Sequence, residues 1–215
     1  MTEKQSRAQA RNDKLRKVAA ELFLKKGYDG VTIDNIVDLA GGSKSTVYSE
    51  FGGKCGLFIK TIEDLCRQTS ESLARLDYSG LNLEQSLKKL SYNILKIITS
   101  KRAVELHRLA IGEAVNCPEV GEAWYRYGPA RTTSFIQAVL ERHRQEISNP
   151  PVPLPQVAVI LHDALTGDPL SRLLSGVSKP QSDLGLRRTA DAVVDLVLSS
   201  VYLGPAAARR AGGCK

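Results

Sequence analysis

The 215-residue chain is predicted to be all-α. Apolar residues recur three or four positions apart in one segment after another, as helices with one buried face require. No segment alternates with the period of two that marks a half-buried strand. The breaks fall at Gly, Pro and Asn clusters, which punctuate helices. A hydrophobic content of 42% is ordinary for a globular protein, and a formal charge of +7 favours an anionic partner.

Residues 1–12 are polar and carry Lys4, Arg7 and Arg11. They read as a solvated tail or, alternatively, as an arm reaching phosphate or the minor groove, with Arg11 the candidate contact. From Asn12 to Lys26, Leu15, Val18, Ala19, Leu22 and Phe23 define one apolar face, and Lys25, Lys26 and Gly27 finish the helix. Thr32 is a plausible N-cap for a short helix bearing Ile33, Ile36, Val37 and Ala40, ended by Gly41-Gly42. Ser43 caps the next helix, whose apolar anchors are Val47 and Phe51 alone. Lys54 opens a long helix carrying Leu57, Phe58, Ile62, Leu65, Leu73 and Leu76. Further helices are expected over Leu83–Ile98, Arg102–Val115, Glu119–Tyr127 and Ala130–Ile147. Residues 149–155, rich in proline, form a stiff connector. Gln156–Leu165 is a short helix, Gly167–Gly185 a loop around Pro169 and Pro180, and Leu186–Leu203 the last helix. Residues 205–215 are expected to be a disordered tail.

The informative stretch is the pair of short helices over residues 32–51. The second is held by two apolar side chains and presents Lys44, Ser45, Thr46, Tyr48 and Ser49 outward. That is what a helix-turn-helix offers a major groove, although an αα-hairpin with a solvated face has the same periodicity. A phosphate-binding loop at Gly53-Lys54 fails, because Tyr48 and Cys55 stand where it needs Gly and Ser or Thr.

Thr32, Ile36, Leu39-Ala40-Gly41, Ser43-Lys44, Thr46-Val47-Tyr48, Phe51, Lys54 and Leu57-Phe58 together resemble the DNA-binding domain of the TetR/AcrR family of bacterial transcriptional regulators. The likeness runs from about Lys14 to Phe58. Three positions depart from the family pattern: Gly42 replaces a small apolar residue, Glu50 an aromatic or His, and Gly52-Gly53 a polar or Pro-containing link. A carboxylate at Glu50 near DNA would repel phosphate. Leu106–Ala114, Pro118-Glu119, Trp124-Tyr125 and Gly128–Arg131 are similar to the C-terminal domain of one AcrR-like branch.

The resemblance implies a three-helix DNA-binding domain over residues 1–54, with its motif at 32–51, and a helical ligand-binding and dimerisation domain over 55–204. It implies a homodimeric repressor of a double-stranded DNA operator, released by a small-molecule effector, with no cofactor and no enzymatic activity. By position, Thr32, Tyr48 and Lys54 would grip phosphates, Lys44, Ser45 and Thr46 would reach base edges, and Ser43 is first a cap.

Effector candidates come from the residues themselves, since no pocket residue carries over by motif. Trp124, Tyr125 and Tyr127 flank a broken helix, His107 and Arg108 adjoin an apolar run, and Phe135 and His162 lie on later helices. Core packing is the stronger explanation of the aromatics, and a salt bridge from Arg108 to Glu105 or Glu113 explains that pair equally well. A lone His on an apolar helix, such as His162, is more often a satisfied core histidine. Dimer seams are expected at 130–147 and 186–203. Cys55, Cys66, Cys117 and Cys214 lie far apart with no metal-ligand spacing, so reduced thiols are expected rather than a disulfide or a metal site. With no run of about 18 apolar residues and no signal segment, a cytoplasmic protein without membrane association is expected. A small helical enzyme and a helical adaptor are the other classes; no Ser–His–acid spacing favours the enzyme.

Overall fold

A computed structural model of the protein describes residues 3–200 except Asn149. Ten α-helices and one 3-10 turn account for the regular structure of the described residues. They are α1 (Glu3–Lys26), α2 (Ile33–Ala40), α3 (Lys44–Phe51), α4 (Lys54–Ala74), α5 (Leu83–Ile98), α6 (Lys101–Glu113), α7 (Pro118–Tyr127), α8 (Pro129–Arg142), α9 (Leu154–Leu174) and α10 (Asp183–Ser200). The expected tail at 205–215, residues 201–203 of the last helix and Cys214 lie outside the described residues.

Two compact units emerge, and neither follows the division at residue 54. One runs through Thr69 and resumes over Glu105–Gly128; the other holds Ser70–Val104 and the chain from Pro129 onward. The first is built on a continuous core. Leu15, Ala19 and Phe23 of α1 meet Ile36 and Ala40 of α2, Val47 of α3 and Leu57, Phe58 and Ile62 of α4. Leu106 and Ala110 of α6 and Val120 of α7 join the same cluster, which is why these helices belong to this unit. Phe58 is its centre: its ring lies 4.8 Å edge-on from Phe23 and 4.8 Å from Tyr28.

The second unit packs α5 along α10 and α8 along α9. Leu87, Leu90, Ile94, Ile136, Leu161, Leu165 and Val194 fill its core. Asn82 caps α5 reciprocally with Gln85, and the Glu146 carboxylate accepts the Leu83 amide at 3.0 Å. Tyr92 donates to Asp183 at 2.6 Å, fastening α10 to α5.

Several expectations change. The first helix starts at Glu3 instead of Asn12, so Arg11 sits on a helix and not on a tail. The helix expected to stop at Leu165 runs on to Leu174 through Pro169. An interior proline costs roughly 3 kcal/mol, and burial of Pro169 and Leu173 offsets it. The start of α7 brings the sulfurs of Cys55 and Cys117, 62 apart in sequence, together; their Cα atoms stand 7.2 Å apart, so closing a disulfide there needs the backbone to draw nearer. Cys66 stays free, and burial pushes its thiol up to about 12.

Candidate nucleic-acid interface

Local chemistry sets the motif. Thr32 accepts the Asn35 amide while the Asn35 side chain accepts the Thr32 amide, so the start of α2 is closed by a reciprocal cap. Ser43 caps α3 by accepting the Thr46 amide at 3.2 Å. Gly52 ends α3 in the left-handed region with φ 75°. A side chain on Gly56 would overlap the Phe51 carbonyl oxygen, so glycine lets the first turn of α4 lie against the end of α3.

Only Val47 of α3 is buried. Phe51 is half-buried, and Lys44, Ser45, Tyr48 and Ser49 are exposed. The hydroxyls of Ser43, Ser45 and Thr46 bond among themselves at 2.7 and 3.1 Å. Lys44 is drawn back onto α2, its Nζ 2.8 Å from Asp34, and this hydrogen bond raises its pKa. Both groups are exposed, and such pairs yield readily to a competing anion. Lys54 is half-buried with its Nζ 4.0 Å from the centre of the Tyr28 ring, a cation–π contact that fixes where the ammonium points. Thr32, Lys44, Ser45, Thr46, Tyr48 and Lys54 therefore sit on or beside one short exposed helix, with Ser43 serving as its cap. Arg11 is exposed on α1.

Sequence reading missed three partners of this surface: Asp34, Tyr28 and Asn12. Asn12 Nδ2 donates to Glu50 Oε2 at 2.8 Å, so the carboxylate expected only to repel phosphate has a partner within the chain. Each contact joins residues distant in sequence or on separate helices, and periodicity carries no signal for it.

The effector candidates divide between the two units. In the first, the His107 ring meets Trp124 edge-on at 4.5 Å, and burial holds the His107 pKa below its usual value. The Arg67 guanidinium lies 4.6 Å from the centre of the Tyr127 ring, while Tyr125 is exposed. Arg108 lines an open cleft of about 350 Å³ between α1 and α6, with Phe23, Leu109, Glu105 and Glu113. In the second unit, Phe135 lies under Arg131 at 4.8 Å and His162 bonds Asp163 at 2.9 Å. A Ser–His–acid relay, invisible in the sequence, does form: His143 bonds Ser86 at 3.1 Å and Glu146 at 2.5 Å. Ser86 is wholly buried, so its hydroxyl meets no substrate, and the relay braces α5 against the turn after α8.

Comparison with known proteins accords with this geometry. Residues 15–61 match the family model for bacterial regulatory proteins of the tetR family, and residues 85–200 match that for the C-terminal domain of AefR-like transcriptional repressors. The HTH-type transcriptional repressor NicS of Pseudomonas putida is 32% identical over 78 residues, a stretch covering 36% of this chain and 37% of that protein. A TetR-family regulator from Mesorhizobium loti superposes with a TM-score of 0.73 at 26% identity, covering 90% of this chain and 97% of its own. The flavonoid-responsive regulator FrrA gives a TM-score of 0.75 at 22% identity, covering 89% and 96%. At that identity FrrA shows the fold alone.

Proposed function

The chain belongs to the tetR family of bacterial regulatory proteins, and from that premise we propose that it is a cytoplasmic, homodimeric repressor that binds a palindromic operator and leaves it when a small molecule binds. The observation that carries the DNA reading is α3 itself: one buried side chain, an outer face of one lysine and several hydroxyls beside Glu50, and a position inside the matched segment of the tetR family. Repression is supported by the AefR-like match and by the similarity to NicS. A reducing compartment would hold Cys55 and Cys117 as thiols.

Lys54, aimed by Tyr28, meets phosphate, and Thr46 reads a base edge. Lys54→Ala should therefore weaken binding to every duplex alike and lower the salt slope by about one. Thr46→Ala should cost about 1–3 kcal/mol on the preferred duplex and less on others. A mobility-shift titration across salt and sequence measures both. Identical losses on all duplexes for the two variants would end the division of roles.

Dimerisation is assigned to α9 and α10. No large apolar residue of α8 is exposed; Ile136, Val139 and Leu140 face the core of their own unit, so the expected seam at 130–147 shifts to α9. Val159, Ile160, Leu184 and Leu196 are the exposed apolar residues on α9 and α10, Leu196 at 69%. Leu196→Asp should yield a folded monomer by light scattering. A Leu196→Asp protein that remains dimeric would move the seam elsewhere. Val197, buried at 7%, is unsuited to this test, since a charge there breaks the core.

The effector is assigned to the first unit, where Arg108 and the His107–Trp124 pair lie on the helices that complete the DNA-binding core. A ligand there shifts operator affinity only through unequal affinity for two shapes of that unit.

A further inference from the structure

We propose that Glu50 is a positioning residue for sequence readout: through Asn12 it fixes the tilt of α3, and so decides which bases the outer face can reach. The proposal rests on the DNA-binding reading above and deepens it.

α3 has eight residues and one buried anchor, Val47, near its middle. At 1.5 Å per residue the helix is roughly 12 Å long, so a tilt of about ten degrees around that anchor moves either end by roughly 1 Å. Such a displacement is enough to spoil a hydrogen bond to a base edge, because donor–acceptor distances span only about half an ångström. One buried side chain does not set a tilt. The end of α3 nearest α4 rests on the half-buried ring of Phe51, and Glu50, beside it in the last turn, adds a polar tie to α1.

The chemistry of the pair makes the link directional. A carboxylate only accepts, so Asn12 must turn its amide nitrogen toward Glu50. That choice leaves Asn12 Oδ1 buried with no partner among the described residues. The bond at 2.8 Å is charge-assisted, which fixes the amide in this orientation at the exposed edge of α3. At the opposite end of α3, Lys44 and Asp34 make the corresponding link to α2. In the free protein the recognition helix is thus tied at both ends by side chains of the two helices behind it. The exposed Lys44 link yields to an anion, which leaves the Glu50 link, and Glu50 stands where the family pattern has an aromatic or His.

Reversing the polarity of the bond tests the idea. Asn12→Asp sets two carboxylates against each other. Asn12→Asp combined with Glu50→Gln restores a donor–acceptor pair in the opposite sense and returns the formal charge to that of the wild type. The probe is a duplex selected by the wild-type protein from a randomised pool, competed with a scrambled duplex of equal composition. Asn12→Asp should lower the preference for the selected duplex about tenfold or more, and the double variant should recover it to within about threefold. Glu50→Gln alone keeps an acceptor, so it should hold the preference while binding all duplexes more tightly. In the free protein, amide exchange of α3 should rise in Asn12→Asp and fall back in the double variant.

Unchanged exchange in Asn12→Asp would show that the bond does not hold α3. Raised exchange with an unchanged preference would show that the bond is structural only, and either result overturns the proposal. A wild-type protein that selects no sequence at all would instead overturn the DNA-binding reading, while the exchange arm still decides whether the bond holds the helix.

Discussion

Phe58→Ala should destabilise the protein by about 3–5 kcal/mol, a large part of the 5–15 kcal/mol that holds a typical domain folded. Phe58 has no exposed surface, and the Phe23 and Tyr28 rings both rest on it. Its loss would leave a cavity that α1 and α4 cannot close without shifting. The same change frees Tyr28, and with it the aromatic face beneath Lys54. A thermal melt followed by circular dichroism should show an early transition in the unit that carries α3, and the proposed DNA binding should be lost at temperatures the wild type tolerates. An unaltered melt would mean that the aromatic trio is not the centre of that unit.

A fragment ending at Thr69 should be largely unfolded, although it contains the whole helix-turn-helix. The core it would need includes Leu106, Ala110 and Val120, which are buried and lie on α6 and α7. Losing Leu106 and Val120 alone removes roughly 3–6 kcal/mol of apolar burial, at about 1.5–3 kcal/mol for each large side chain. A chain of that length has little to spare, since small domains bury a smaller share of their surface. Amide shift dispersion and the helical signal of the fragment measure this directly. A fragment that folds and discriminates between duplexes as the full chain does would show that α6 and α7 are dispensable to the motif.

The two short helices of the motif were legible because the signals that make them are local. Thr32 and Ser43 cap within three residues, Gly41 and Gly52 terminate within one, and Val47 marks the buried side of α3 by its spacing. Everything that depends on distant residues was not. The proline at 169 argues for a break until the burial around it is known. Helices α6 and α7 read as part of a second domain because sequence order, and not packing, was the only guide. The ties from Asp34 to Lys44 and from Asn12 to Glu50 join separate helices, and no period connects them. The aromatic residues near Trp124 illustrate the opposite limit: their chemistry suits a pocket, yet Tyr125 points to solvent and Trp124 packs against His107.

A disulfide closed between Cys55 and Cys117 would also change what kind of object the polypeptide is. When it is closed, the chain is a ring with two free arms. The ring contains nearly all of α4 and the whole of α5 and α6; the arm before Cys55 carries α1 to α3, and the arm after Cys117 carries α7 to α10. A cut inside the ring, for example at the exposed turn of Ser79 and Gly80, opens a loop and releases nothing. A cut in either arm severs whatever lies beyond it. Under reduction the distinction disappears, and one backbone cut anywhere yields two pieces. The helices that would read DNA thus form one arm of a covalent ring, and the state of two sulfur atoms decides whether that ring exists.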